Sequence, residues 1–258
     1  MTETITTKSQ LHPQVGPEVG PVRVRDATKP GARQLVRFAF YRVMPEWRRL
    51  DQARKETQRQ ELAKVLTDHA AQLLVRTYTL VGTRGDVDFM IWAVSEESER
   101  LQGLFAAINR TGLAGYLTCA HSYTAMTKRS IYVDVDHPNQ GTGGDRLVLA
   151  PGSRRFLFVY PFVKTRAWWA LPAAERQRMM EEHIRIGRQF PSVRINTTYS
   201  FGLDDQEFVV AFETDSAADF LDCVQVLRDT EASAYTLRDV PSFTCVRTGT
   251  LAMLESLG

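Results

Sequence analysis

Two stretches of this chain pass through the same succession of hydrophobic periods, and that repetition narrows the fold more than any other feature. Val36–Val43 alternates Val36, Phe38 and Phe40 with other residues, the period of a half-buried strand. Pro45 opens a helical stretch over Glu46–His69. Strand-like runs follow at Gln72–Val81 and Asp88–Val94, divided by a turn cluster that starts at Gly82. Glu96–Asn109 reads as a helix, with Leu101, Leu104, Phe105 and Ile108 at helical spacing, and Leu113–Met126 as a strand. The second stretch gives a strand at Arg155–Lys164, a helix at Pro172–Phe190, and strands at Ser192–Phe201 and Glu207–Glu213 joined by Gly202–Asp205. A helix at Ser216–Arg228 and a strand at Ser242–Thr248 complete it.

Each stretch is a β-α-β-β-α-β unit, so the expected fold class is α+β: two tandem ferredoxin-like halves. Helices would cover one face of each sheet, and the bare faces would pack together into a dimeric α+β barrel. The expected organisation is a flexible arm over 1–31, an N-terminal half over 32–135, a linker over 136–152 and a C-terminal half over 153–258. The linker is dense in turn residues, among them Pro138, Gly141, Gly143, Gly144 and Pro151.

Bulk properties exclude several classes. A net charge of +2 gives no case for a nucleic-acid partner. No run of apolar residues is long enough for a membrane span. Met1 to Arg25 has no apolar segment of the kind a signal peptide needs, so a cytoplasmic location is expected. Cys119, Cys223 and Cys245 have neither CxxC spacing nor an even count, which argues against a zinc site or a disulfide framework. GTGGD lacks the lysine and serine of a phosphate loop, and the RGD triplet of Gly82–Asp86 is read as part of a hairpin turn, not as an adhesion motif.

The Pro172–Phe190 helix carries the candidate chemistry. Met179, His183, Ile186 and Phe190 follow 4-3-4 spacing and share a face, which puts His183 in an apolar stripe. A core histidine bonded to a carbonyl fits that position. So does a metal ligand, and two features favour it. Gly187 removes bulk one turn along, where a flat ligand could lie, and Met179 and Met180 supply adaptable packing. A neutral imidazole on an apolar helix face is the usual proximal ligand of haem iron. Glu231 is a candidate acceptor for its other nitrogen, or a solvated loop carboxylate. Tyr160 and Lys164 lie on one side of an extended strand, where together they could meet a carboxylate. Trp168 and Trp169 read as core.

These residues resemble the chlorite dismutase-like family over about Val36 to Thr248. The resemblance is carried by YPFVK, WW, EH, IGR and VRINT between Tyr160 and Thr197, by SFGLDDQEF at Ser200–Phe208, and by LRDTEAS at Leu227–Ser233. FYRVMPEWRRL and DVDFMIWAVS in the first half resemble it too. It implies an oligomeric, often pentameric, haem protein. It also implies that His183 ligates the iron, that Glu231 supports it, that Ser233 and Lys164 lie near porphyrin carboxylates, and that Trp168 lines the proximal side.

Two positions bear on the activity. Chlorite-degrading members carry a distal arginine on the strand after the histidine helix, and counting back from Gly202–Asp205 puts Ile195 there, with Arg194 beside it. Strand neighbours point to opposite faces, so only one of the two can face the iron. The tyrosine of the YP pair, Tyr160, resembles the decarboxylase branch. That branch implies a homopentamer using hydrogen peroxide to decarboxylate coproheme (Fe-coproporphyrin III) to haem b, with Tyr160 as the catalytic residue. Chlorite dismutation and non-catalytic haem binding are the competing expectations.

Overall fold

The structure, a computed structural model, describes residues 33–132 and 147–258. The expected arm and residues 136–146 of the expected linker lie outside the described residues, as do His12 and His137. The first half runs β1 (Leu35–Val43), α1 (Pro45–Arg48), α2 (Gln52–Ala70), β2 (Leu74–Thr79), β3 (Phe89–Ser95), α3 (Ser98–Asn109) and β4 (Leu117–Met126). The second runs β5 (Phe156–Lys164), α4 (Arg166–Ala170), α5 (Ala173–Gly187), β6 (Arg194–Tyr199), β7 (Phe208–Thr214), α6 (Ala217–Arg228), β8 (Thr236–Arg238), β9 (Phe243–Arg247) and α7 (Thr250–Glu255).

The strand orders are β4-β1-β3-β2 and β6-β7-β5-β9, two antiparallel sheets of the same topology. They do more than stack. Met126 pairs with Tyr199 at one seam, and Tyr78 and Thr79 pair with Arg247 and Val246 at the other. The two sheets therefore close into one barrel, with β8 attached to the end of β5. Closure removes exposed sheet edges at both seams.

Alternation along each strand sends one set of side chains inward. Phe38, Phe40, Trp92, Leu157, Val159 and Phe243 meet there, all fully buried. Phe40 and Phe243, one from each half, stack with ring centroids 4.0 Å apart. Burying an aromatic side chain of this size contributes on the order of 2–3 kcal/mol, so the interior ties the halves together.

Three local features differ from the sequence expectation. The first helix is broken in two, because Asp51 accepts from the Arg54 amide at 2.9 Å and so caps a new helix start. The last strand of the first half begins only at Leu117, after a short 3₁₀ turn over Leu113–Tyr116. The chain also ends in α7, whose Met253 and Leu254 are buried in the core of the first half. Helices as short as α1, α4 and α7 leave too few periods in the sequence to register.

Candidate functional site

The halves share a topology but not a packing. Over the outer face of the first sheet, Trp47, Leu62, Leu66 and Leu104 fill the layer down to Phe89 and Ile91. Over the second sheet, α5 and α6 leave a cavity of about 920 Å³ above β5, β6 and β7. That volume is in the range of a large small-molecule site.

The strand face supplies the floor. Tyr160, Phe162 and Lys164 of β5 line the cavity, while Leu157 and Val159 point into the barrel. The tyrosine and lysine are thus on one side, as the spacing requires. The Tyr160 ring stacks on Phe212 at 6.0 Å. Burial raises its phenol well above the ordinary value, and the nearby Asp239 carboxylate acts in the same direction.

Lys164 is buried, and its ammonium donates to the Ala232 carbonyl at 2.5 Å and lies 4.6 Å from the centre of the Trp168 ring. Burial lowers its pKa to about 8, against the opposing pull of Glu207. Glu207 also fixes the local backbone. It accepts from the Lys164 amide at 2.9 Å and from the Trp169 indole at 2.8 Å, joining the end of β5 to α4.

On β6 the register is now visible. Ile195 packs with Phe158, Val210 and Phe212 on the cavity face. Arg194, which also lines the cavity, pairs with Glu213 across the ladder and sends its guanidinium to the Ala150 carbonyl at 2.6 Å. Cations among the lining residues include Lys128, Arg154, Arg188 and Arg228, of which Arg154 forms an ion pair with Asp215 and Arg228 with Asp239. The lining thus combines an apolar floor with a positively charged edge.

Helix α5 forms the wall opposite the strands. Its cavity face carries Met180, His183, Ile184 and Gly187. This stripe is rotated from the one expected: Met179 instead packs beneath, fully buried against Trp168 and Ala232. A methyl built on Gly187 would meet nothing within 4 Å, so that position borders open space. Burial holds the His183 imidazole down to about 4, and the charge of Lys164 adds to the effect. The ring is therefore neutral at physiological pH and can offer a lone pair without first losing a proton.

Of the two places read for Glu231 in the sequence, it takes that of the solvated carboxylate. It pairs with Arg178 on the surface, at 2.8 and 2.9 Å, and does not touch His183. The residue that does is Thr230, whose Oγ1 lies 3.3 Å from His183 Nδ1. Thr230 and Glu231 are adjacent in the sequence, and only the path of the chain decides which of them meets the helix. Ser233 lines the cavity and Trp168 is buried at its edge, with its indole donating to the Tyr132 hydroxyl at 3.2 Å. Arg154 and Asp239 belong to no motif, and only their convergence on the cavity with Arg228 of the LRDTEAS segment marks them.

The remaining features lie elsewhere. His121 contacts Asp86 at 3.1 Å in the first half. Arg84 and Asp86 of the RGD triplet bind each other at 2.6 and 2.7 Å, so the triplet is closed on itself. Among the described residues, no group of side chains with metal-ligand composition clusters, and no helix is long and apolar enough to cross a membrane.

Comparison with known proteins agrees with this architecture. The chlorite dismutase family model matches residues 32–248. A coproheme decarboxylase from Mycolicibacterium smegmatis is 33% identical over 167 residues, which cover 65% of this chain and 70% of that protein. A chlorite dismutase from Ideonella dechloratans is 25% identical over 218 residues, 84% of this chain and 76% of the relative. Among solved structures, a mutant chlorite dismutase from Candidatus Nitrospira defluvii superposes with a TM-score of 0.80 at 23% identity, covering 87% of this chain and 95% of the other. The match to the family model extends from just before β1 to just past β9, and by it the chain belongs to the chlorite dismutase family.

Proposed function

We propose that this protein binds an iron porphyrin through His183 and decarboxylates coproheme to haem b with hydrogen peroxide. The observation that carries the reading is Tyr160, an oxidisable phenol that lines the same cavity as Lys164, with apolar Ile195 on the same sheet face. The residues fit the group. A neutral imidazole faces a cavity with an apolar floor, open space adjoins Gly187, and cations at the rim suit a ligand bearing several carboxylates. When bound, the iron porphyrin supplies the two-electron oxidation by peroxide.

The overall step balances for each propionate: the side chain, one peroxide and one proton give a vinyl group, carbon dioxide and two waters. Within it, Lys164 holds a carboxylate by a charge-assisted hydrogen bond. Tyr160 yields the hydrogen of its hydroxyl to the oxidising equivalent and recovers one from the β-carbon of the propionate. The second electron and the carboxylate then leave, forming the double bond. Phe162, Val210 and Phe212 keep the region around the phenol apolar. The family resemblance supports a homopentamer, and the proposed location is the cytoplasm. The test is to load the protein with coproheme, titrate with peroxide and identify the porphyrin by mass. The expected product is haem b, and coproheme bleached without loss of carbon dioxide would overturn the assignment.

Chlorite cleavage is helped by a cation near the departing hypochlorite. Ile195 offers none, and the Arg194 guanidinium is engaged at the Ala150 carbonyl. Dioxygen release from chlorite, followed with an oxygen electrode, should be negligible in the wild type and unaltered in Arg194→Ala. Rapid release that disappears in that variant would reassign the reaction.

Lys164 gives the site a pH dependence. Its ammonium is present below about 8 in the free protein and is lost as the pH rises through that value. Coproheme affinity should therefore fall on the alkaline side. Lys164→Met should weaken binding by roughly 1.5–3 kcal/mol, the range for a hydrogen bond to a charged group, and abolish the alkaline fall. A fluorescence-quenching titration between pH 6 and 10 measures both, and an unchanged alkaline limb would remove Lys164 from the carboxylate contact.

A further inference from the structure

The geometry points to Thr230 as the positioning residue that sets the proton tautomer of His183 and aims its free lone pair at the cavity. The inference rests on the proposed role of His183 as iron ligand, but its first observable does not need the iron.

Thr230 is buried, at 4% exposure, just past Asp229, the residue that caps α6. Its hydroxyl hydrogen is committed: Oγ1 donates to the Leu227 carbonyl at 2.8 Å. A threonine hydroxyl has one hydrogen and two lone pairs, so toward His183 it can only accept. The contact at 3.3 Å from Nδ1 must then be Nδ1–H to Oγ1. A neutral imidazole carries one ring hydrogen, and placing it on Nδ1 leaves Nε2 as the unprotonated nitrogen. The Leu227 carbonyl belongs to the last turn of α6, so the orientation of the ligand is tied to the end of a neighbouring helix through one hydroxyl.

The identity of the acceptor matters as much as its place. A carboxylate would draw the Nδ1 proton and make the imidazole a stronger donor to a metal. A neutral hydroxyl at the long end of hydrogen-bond distance does so far less. Glu231, the carboxylate next in the chain, is held away by its ion pair with Arg178. The arrangement therefore gives an imidazole of ordinary donor strength, fixed in orientation.

Nitrogen-resolved NMR of the histidines in the porphyrin-free protein tests the tautomer directly. Wild type should show His183 as the Nδ1–H form. Thr230→Val, which keeps the shape and removes the hydroxyl, should shift it to a mixture of both forms, and Thr230→Ser should restore it. In the coproheme-loaded ferrous protein, the iron–histidine stretching band should broaden and shift in Thr230→Val, with affinity about tenfold weaker, the low end of the range for loss of a ligand's supporting partner. Glu231→Gln should change neither readout. A wild-type His183 in the Nε2–H form, a Thr230→Val spectrum identical to wild type, or a Glu231→Gln that reproduces the Thr230→Val effect would overturn the inference. If the wild type bound no porphyrin, the reading of His183 as iron ligand would fall, while the tautomer result would stand or fall by itself.

Discussion

Replacing Tyr160 with phenylalanine should leave porphyrin bound and stop the reaction. The substitution keeps the ring that stacks on Phe212 and removes only the hydroxyl, so the apolar floor is preserved. Affinity for coproheme should drop by about 1 kcal/mol, the value of one neutral hydrogen bond, and by up to ~3 if the hydroxyl meets a charged carboxylate in a buried setting. The decarboxylation rate should fall almost to nothing, because the phenylalanine has no hydroxyl hydrogen to yield. Peroxide would still be consumed, so bleaching without haem b is the expected result, read by absorbance and mass spectrometry. Production of haem b at the wild-type rate would remove Tyr160 from the chemistry. The chemical reason for choosing a phenol is visible in its surroundings. Burial and the nearby Asp239 keep the proton on Tyr160 in the resting site, so it is available as a hydrogen-atom donor and not as a phenolate.

The second large effect is expected for His183→Ala. Loss of a supporting partner of a metal ligand costs on the order of 10–100-fold in affinity, and loss of the ligand itself should cost more. The variant should take up coproheme weakly and lack the spectrum of a histidine-bound five-coordinate iron. Added imidazole should restore part of both, since the alanine leaves space on a helix face that already borders open volume at Gly187. An unchanged spectrum would move the ligand elsewhere, and His121, bonded to Asp86 in the first half, is the next to replace. Folding should be little affected, because Met179, fully buried on the same helix, anchors α5 against Trp168 and Ala232 independently of the histidine.

These two predictions rest on a difference between halves of similar topology. In the first, leucines and Trp47 occupy the layer between helices and sheet; in the second, that layer is left open. Packing at protein density leaves few voids of any size, so a volume this large is a feature of the sequence at those positions and not a defect of packing.

The fold class was determined by the sequence alone, because strand and helix periods are local properties: the alternation in Val36–Val43 and the helical spacing of Leu101, Leu104 and Ile108 survive any tertiary arrangement. So was the placement of Tyr160 and Lys164 on one side of a strand. What the tertiary structure decided were relations across elements. Ile195 and Arg194 differ by one residue, and only the folded packing shows that Ile195 joins the apolar cluster of the cavity floor while the Arg194 guanidinium is engaged at the Ala150 carbonyl, since a slip of one residue exchanges the faces. Thr230 and Glu231 are likewise neighbours, and the turn after α6 sends one hydroxyl to His183 and one carboxylate to Arg178. Arg154 meets Arg228 and Asp239 at the cavity from the other end of the second half, and neither Arg154 nor Asp239 carries a local signal, because charge convergence is a property of the folded surface and not of the sequence order.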